Sequence, residues 1–388
     1  MGLIVNDGMY REKDTCWFIG REDNILYKMH LANMEVECVA CLPREKTESF
    51  RMYQRCIKKD SYIYCVPDRG NTIQVYDIKE NRFHQIAIEN PEEKRISIFD
   101  SWIDGEVLWC VSYGMNEIIA VNLINNSVIG IYSIFECQED TCGFESLKVG
   151  RYIYCVSKSR PCIVEFDIET LDKKEYVFEL AEKGFHTIAY DEEMFYLTGY
   201  SNSVYCWKKE DEQYIKQYLL PENFYFLEDS ENTIRTPIFY HSFVLQKQVV
   251  FIPWNSLNVL SNYILCMDRQ SKNFKKIDFG KKDSLRKSGE IFVVEYIKHN
   301  TIIGIHDTKN TFITEIDVDT EQIIQLDMVT DKRKDIEFWK KNINDKDILS
   351  EGLNCSLEVL FGACDIKKNS IEERNSTTGK IIWDNICF

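Results

Sequence analysis

A strand-like run, a tight polar turn and a second run ending in aromatic or β-branched residues recurs seven times before residue 310. The copies are GMYREKDTCWFIG, RCIKKDSYIYCVPD, SWIDGEVLWCVSYG, SLKVGRYIYCVSKS, TIAYDEEMFYLTG, FVLQKQVVFIPW and VEYIKHNTIIGIHD. A chain that repeats one supersecondary unit at such an interval is built of modules, none of which can bury its own apolar faces alone. Cys65, Cys110 and Cys155 hold the same place in three successive copies, at intervals of 45 residues. They read as small core residues of the repeat and not as a site.

After each hairpin comes a third apolar strand with a polar residue near its end, as in TIQVYDIKENRF, IIAVNLINNSV, CIVEFDIETLDKKEY, YILCMDRQSKNF and FITEIDVDTEQI. Asp77, Asn122, Asp167, Asp268 and Asp317 are equivalent in this alignment, and a fourth strand closes each unit. Period-2 alternation with polar turns between short strands predicts antiparallel meanders. A repeat of four strands predicts an all-β, seven-bladed β-propeller, with six or eight blades as the alternatives. The expected blades cover roughly 1–43, 49–90, 97–136, 144–182, 184–221, 236–280 and 290–327, with a long insertion from Pro221 to Thr236.

The third strand resembles that of kelch and galactose-oxidase-like propellers, in which an aromatic-Asp pair precedes a polar turn and a last strand. Tyr76-Asp77 and Phe166-Asp167 carry the likeness, which extends over residues 1–327. Where kelch repeats end the second strand in paired glycines, this chain has Pro67-Asp68, Ser112-Tyr113 and Ser157-Lys158. The resemblance implies a fold and transfers no active site.

After Asp327 the alternation stops. DIEFWKKNI sets Ile336, Trp339 and Ile343 on one helical face, and LEVLFGAC and TTGKIIWDNI suggest further short helices, so 328–388 reads as a helical extension.

The formal net charge of -16 argues against nucleic acid as a partner, because it repels phosphate backbones. No run is long and apolar enough for a membrane helix, and the opening residues lack the pattern of a signal peptide. Fifteen cysteines, an odd number with several inside strand-like runs, suit a reducing cytoplasm. Cys38 and Cys41 have CxxC spacing but fall in an expected outer strand with no second pair, so neither a metal nor a cofactor is expected. No nucleophile elbow, phosphate loop, zinc-protease or dinucleotide signature occurs.

Two groups of residues remain as site candidates. An aromatic, polar, hydroxyl triplet opens the first strand of four neighbouring blades: Phe99-Asp100-Ser101, Phe144-Glu145-Ser146, Phe185-His186-Thr187 and Tyr240-His241-Ser242. Alternation would send Asp100, Glu145, His186 and His241 to one side, where two carboxylates and two imidazoles would suit acid-base work. The plainer expectation is that they bond one blade to the next. The loops after the second strands supply Arg69, Tyr113, Arg160, Tyr200, Trp254 and His306, residue types favoured at binding surfaces.

The leading functional expectation is a non-catalytic binding propeller that holds a protein or peptide partner on these loops. A propeller enzyme, a lyase or hydrolase of glycan or peptide substrates using the Asp/Glu/His group, is the alternative. A carbohydrate-binding protein is the third.

Overall fold

The repeat hairpins fold where the turn residues dictate. The structure, a computed structural model, describes residues 8–20, 24–43, 52–88, 96–227, 236–254, 259–261, 263–278, 292–298, 301–306 and 312–342. The chain divides into two compact units, one of Met1–Ile96, Thr308–Ile313 and Leu326–Phe388, the other of Ser97–Asp307 and Thr314–Gln325.

In the first unit, β1 (Tyr10–Glu12), β2 (Thr15–Ile19), β3 (Ile25–His30) and β4 (Glu35–Cys41) form one meander. A second comprises β5 (Tyr53–Lys59), β6 (Tyr62–Pro67), β7 (Thr72–Asp77) and β8 (Arg82–Ala87). In the second unit, β9 (Ile98–Asp104), β10 (Val107–Ser112), β11 (Glu117–Asn122) and β12 (Ser127–Ser133) make the third sheet. The fourth is β13 (Cys142–Val149), β14 (Tyr152–Ser157), β15 (Cys162–Asp167) and β16 (Lys173–Val177). The fifth is β17 (Phe185–Tyr190), β18 (Phe195–Gly199), β19 (Ser203–Trp207) and β20 (Ile215–Leu219).

In the insertion, β21 (Phe226–Leu227) pairs with β24 (Val259–Leu260) as a small ribbon. The sixth sheet is β22 (Phe239–Val244), β23 (Gln248–Pro253), β25 (Tyr263–Asp268) and β26 (Phe274–Asp278). The strands β27 (Phe292–Lys298), β28 (Thr301–His306), β29 (Phe312–Asp317) and β30 (Ile323–Asp327) complete the seventh. These seven four-stranded meanders are the blades of a β-propeller, as the repeat predicts. Strands are lettered a to d within a blade.

The polar residue that ends strand c has a common task. Oδ1 of Asp77 accepts the N–H of Lys79 and Glu80, and Oδ1 of Asn122 those of Ile124 and Asn125. Asp167, Asp268 and Asp317 do the same for the residues two and three further on. Four residues after each acceptor the chain takes a positive φ, at Asn81, Asn126, Leu171, Lys272 and Glu321. The short side chain thus stands in for a backbone acceptor and closes the c-to-d turn, the use for which Asp and Asn are selected.

The middle strands are buried on both faces, as in β15, whose six residues are all buried, while outer strands such as β12 alternate with solvent. That is what stacked sheets require: each inner strand meets a neighbour on either side. Trp109, Val111 and Ile118 of the third blade pack with Ile153, Cys155 and Phe166 of the fourth. Tyr196 and Val204 of the fifth pack with Phe239, Phe251 and Leu265 of the sixth. Cys65, Cys110 and Cys155 are fully buried, and burial holds the Cys65 thiol well above its ordinary range.

Past β30 the sequence does not go directly into a helix. Residues of β31 (Val329–Thr330) first pair in parallel with Glu35 and Val36 of β4, covering that blade's outer edge. The helix α1 (Lys332–Asn342) follows and packs on β4, with Lys334 Nζ 2.9 Å from Glu35 Oε1. The side chains of Ile336 and Trp339, and Ile343 with the two further expected helices, lie outside the described residues.

Candidate functional site

Strand a of each central blade carries a β-bulge near its start, and the bulge sets which side chain faces which way. In the third blade Asp100 pairs with Val111 and Ile98 with Ser112, leaving Phe99 extra. Tyr240 is extra between Phe239 and His241 in the sixth, and His186 between Phe185 and Thr187 in the fifth. In the fourth, Gly143 to Glu145 lie between the pairs Cys142↔Ser157 and Ser146↔Cys155. Counting back from the hairpin turn, Asp100, Glu145, Thr187 and His241 are equivalent, and Phe99, Phe144, His186 and Tyr240 are the bulge residues. The sequence alignment of the triplet was therefore one residue out in the fifth blade, where His186 takes the aromatic place and Phe185 goes into the core beside Phe178 and Tyr205. A bulge inserts one residue and so shifts alternation, which sequence period alone does not register.

The two carboxylates act between blades. Asp100 Oδ2 accepts the Ser146 N–H at 2.6 Å. Glu145, one methylene longer, accepts the N–H of Ile188 at 3.2 Å and the N–H of Ser242 at 2.9 Å. Ser146, Ile188 and Ser242 are themselves equivalent, so each carboxylate ties its strand a to the matching amide of a later blade. Glu145 also accepts from Ser242 Oγ at 2.8 Å and pairs with His241 Nδ1 at 2.8 Å. Burial raises the Glu145 carboxyl above its usual range, partly offset by the His241 contact. Of the four sequence candidates, Glu145 and His241 touch, Asp100 is close enough to Glu145 to raise its pKa further, and His186 is bonded instead to Tyr200.

His186 belongs instead to an aromatic cluster centred on Phe144. Ring centroids of Trp254, Tyr113, His186, Tyr240 and Phe99 lie 4.3, 4.7, 4.8, 5.2 and 5.7 Å from that of Phe144. His186 Nε2 and the Tyr200 hydroxyl are 2.8 Å apart. Burial, reinforced by Lys158 and Lys183, pushes the His186 pKa down to about 3, so the ring is neutral. His186 Nδ1 and His241 Nε2 are buried with no hydrogen-bond partner among the described residues.

Above the cluster lies a cleft of about 470 Å³. Tyr113, Lys158, Ser159, Tyr200 and Trp254 reach it from the b-to-c loops of the third to sixth blades, and Lys183, Thr236 and Pro237 from the loops that enter the fifth and sixth. His186 forms part of its wall. Lys158 Nζ sits 4.7 Å from the Tyr113 ring centre and Lys183 Nζ 4.6 Å from that of Tyr200, within cation-π range.

A buried carboxylate shapes one wall. Glu182 accepts the N–H groups of Lys183, Tyr200 and Ser201 at 2.9, 3.0 and 3.0 Å. Gly184 and Gly199 let the backbones close up: a Cβ on Gly199 would collide with Gly184 O, and one on Gly184 with the carbonyl group of Lys158.

The sequence-selected loop residues separate accordingly. Tyr113, Tyr200 and Trp254 share the cleft. Arg160 does not join them, because its guanidinium is held by Asp140 and, at 2.7 Å, by Glu175. Arg69 lies in the first unit, half-buried after β6, with its N–H on Met52 O at 3.3 Å. His306 ends β28 and its side chain lies outside the described residues. Lys183, Thr236 and Pro237 went unselected; the rule that the loops between blades share a face with the b-to-c loops would have marked them.

No protein-family model matches the chain, and no curated protein is similar to it in sequence. Solved structures are similar in fold. BamB from Moraxella catarrhalis is 10% identical, with a TM-score of 0.53 over 78% of this chain and 80% of that one. The Pan2 WD40 domain of Neurospora crassa is 8% identical, with a TM-score of 0.53 over 84% and 90%. U3-55K is 10% identical, with a TM-score of 0.52 over 78% and 88%. At such identities the likeness establishes the β-propeller fold and nothing finer.

Proposed function

We propose that this chain is a non-catalytic binding propeller, with residues 1–327 as its propeller body, that engages a protein or peptide partner through its b-to-c loops. The observation that carries the reading is the cleft of about 470 Å³ walled by Tyr113, Tyr200 and Trp254 from three different blades. Its size suits a few residues of an extended peptide, and rigid aromatic walls are what binding hot spots use. The carboxylates of the triplets support the non-catalytic side of the reading, since Asp100 and Glu145 are already bonded to amides of neighbouring blades. The odd count of fifteen cysteines, several of them buried inside strands, favours a cytoplasmic setting, and Tyr76-Asp77 and Phe166-Asp167 a kelch-type repeat.

Selection of a random displayed peptide library on the full chain tests the proposal. Enriched peptides should bind the wild type and lose at least tenfold in affinity to Trp254→Ala and Tyr113→Ala variants that still melt cooperatively. Enriched peptides indifferent to both substitutions, or no enrichment, would sink it.

A further inference from the structure

The geometry points to an anionic group, a carboxylate or a phosphoryl, as the feature of the peptide that this cleft recognises. The inference rests on the peptide-binding reading and specifies its chemistry.

The chain carries a net charge of -16, yet the cleft presents two lysines and a neutral imidazole. Neither Lys158 nor Lys183 forms an ion pair among the described residues. The adjacent carboxylate, Glu182, is turned to the amides of Lys183, Tyr200 and Ser201. The same blades provide an internal comparison. A cleft of about 390 Å³ at their a-to-b and c-to-d turns is lined by Asp104, Arg151 and Glu169 among others. There the cations are neutralised within the chain, Arg151 by Asp167 and Glu169 at 2.7 and 2.9 Å, and neighbouring Lys148 by Asp104 at 2.6 Å.

Burial chiefly holds the Lys158 pKa below its ordinary value; Cys142 partly offsets it and the Lys183 charge adds to it, so the two ammoniums are near enough to repel. An anion between the two ammoniums converts that repulsion into attraction. An aromatic cleft would otherwise suit a cationic ligand such as a methylated lysine. Here the faces of Tyr113 and Tyr200 are already covered by the chain's own cations, which would repel a third.

Calorimetric titration of the full chain with five acetylated tripeptides tests the inference: four C-terminal amides, Phe-X-Phe with X as glutamate, phosphoserine, glutamine or lysine, and Phe-Gln-Phe with a free C-terminal carboxylate. At least one anionic probe should bind tenfold or more tighter than the glutamine amide, the lysine probe weakest, with affinity falling as salt rises. The tightest anionic probe identifies carboxylate side chain, terminus or phosphoryl as the source. Lys158→Gln, Lys183→Gln should abolish the preference while leaving the melting temperature of the chain within a few degrees. Equal binding of the glutamate, phosphoserine, free-acid and glutamine probes, all weakened by Trp254→Ala, would overturn the anion inference and leave the peptide reading standing. No binding by any probe would overturn the inference for these peptides, and the library selection then decides the peptide reading separately.

Discussion

Glu145 and Ser242 lie 97 residues apart in sequence, yet Ser242 donates both its amide and its hydroxyl to the Glu145 carboxylate, at 2.9 and 2.8 Å. Together with the Ile188 amide and His241 Nδ1, one side chain satisfies donors on two other blades. Truncation would leave these buried donors without an acceptor, so Glu145→Ala should cost about 3 kcal/mol. Glu145→Gln, which keeps one acceptor oxygen, should cost less. Urea unfolding with an unchanged m-value measures both.

The neutral His186 makes stability depend on pH with a definite sign. Its folded pKa is about 3 against an ordinary 6.5, so below pH 6.5 the unfolded chain binds a proton that the folded chain refuses. The contribution of this residue is therefore complete above pH 6.5 and is lost as pH falls toward 3. At pH 5 the loss amounts to about 2 kcal/mol, taking 1.36 kcal/mol per pH unit. His186→Phe keeps an aromatic ring against Phe144 and removes the titration. The variant should lose less stability than the wild type between pH 7 and pH 5, by urea unfolding at each pH.

Much of this architecture could be read from the residues, and the failures have identifiable causes. The strands were legible because hairpin turns and apolar runs recur in phase, and the c-to-d turns because Asp and Asn mark them at Asp77, Asn122, Asp167, Asp268 and Asp317. Tyr113, Tyr200 and Trp254 were legible as loop residues. His186 departs from the triplet alignment because a bulge moves a side chain by one place without leaving a sequence mark. The ion pairs of Arg160 are not legible in its own loop because its partners, Asp140 and Glu175, come from other segments of the blade. The pairing of β31 with β4 joins positions almost three hundred residues apart, which no local pattern announces.

Arg160 illustrates how a residue chosen for binding can instead be structural. Asp140 is 4% exposed in its side chain and relies on Arg160, with Ser157 Oγ at 3.3 Å as a weaker donor. Arg160→Met would leave that carboxylate buried beside an apolar chain, and should cost about 3 kcal/mol. Peptide affinity should stay within twofold of wild type, since the guanidinium does not line the cleft. A titration of the folded variant separates the two effects.

Gly199→Ala tests whether the cleft depends on close backbone approach. The added methyl would run into Gly184 O, which is backbone, and come within 2.8 Å of Glu182 Cδ, whose carboxylate is held by three backbone amides. The b-to-c loop bearing Tyr200 and the loop bearing Lys183 would have to separate, which disturbs the amide contacts that Glu182 makes with both. Overpacking of this kind costs about 1–3 kcal/mol. Because the displaced segments are the walls that carry Tyr200 and Lys183, peptide affinity should fall at least tenfold in the same variant. Gly150→Ala provides the contrast: its Cβ meets nothing within 4 Å, but the residue sits at φ +57°, so the substitution adds backbone strain at the far turn of the fourth blade. That strain costs about 1 kcal/mol. It should lower the unfolding midpoint and leave the peptide titration unchanged. Equal affinity losses in the two variants would mean that binding follows global stability and not the spacing of these two segments.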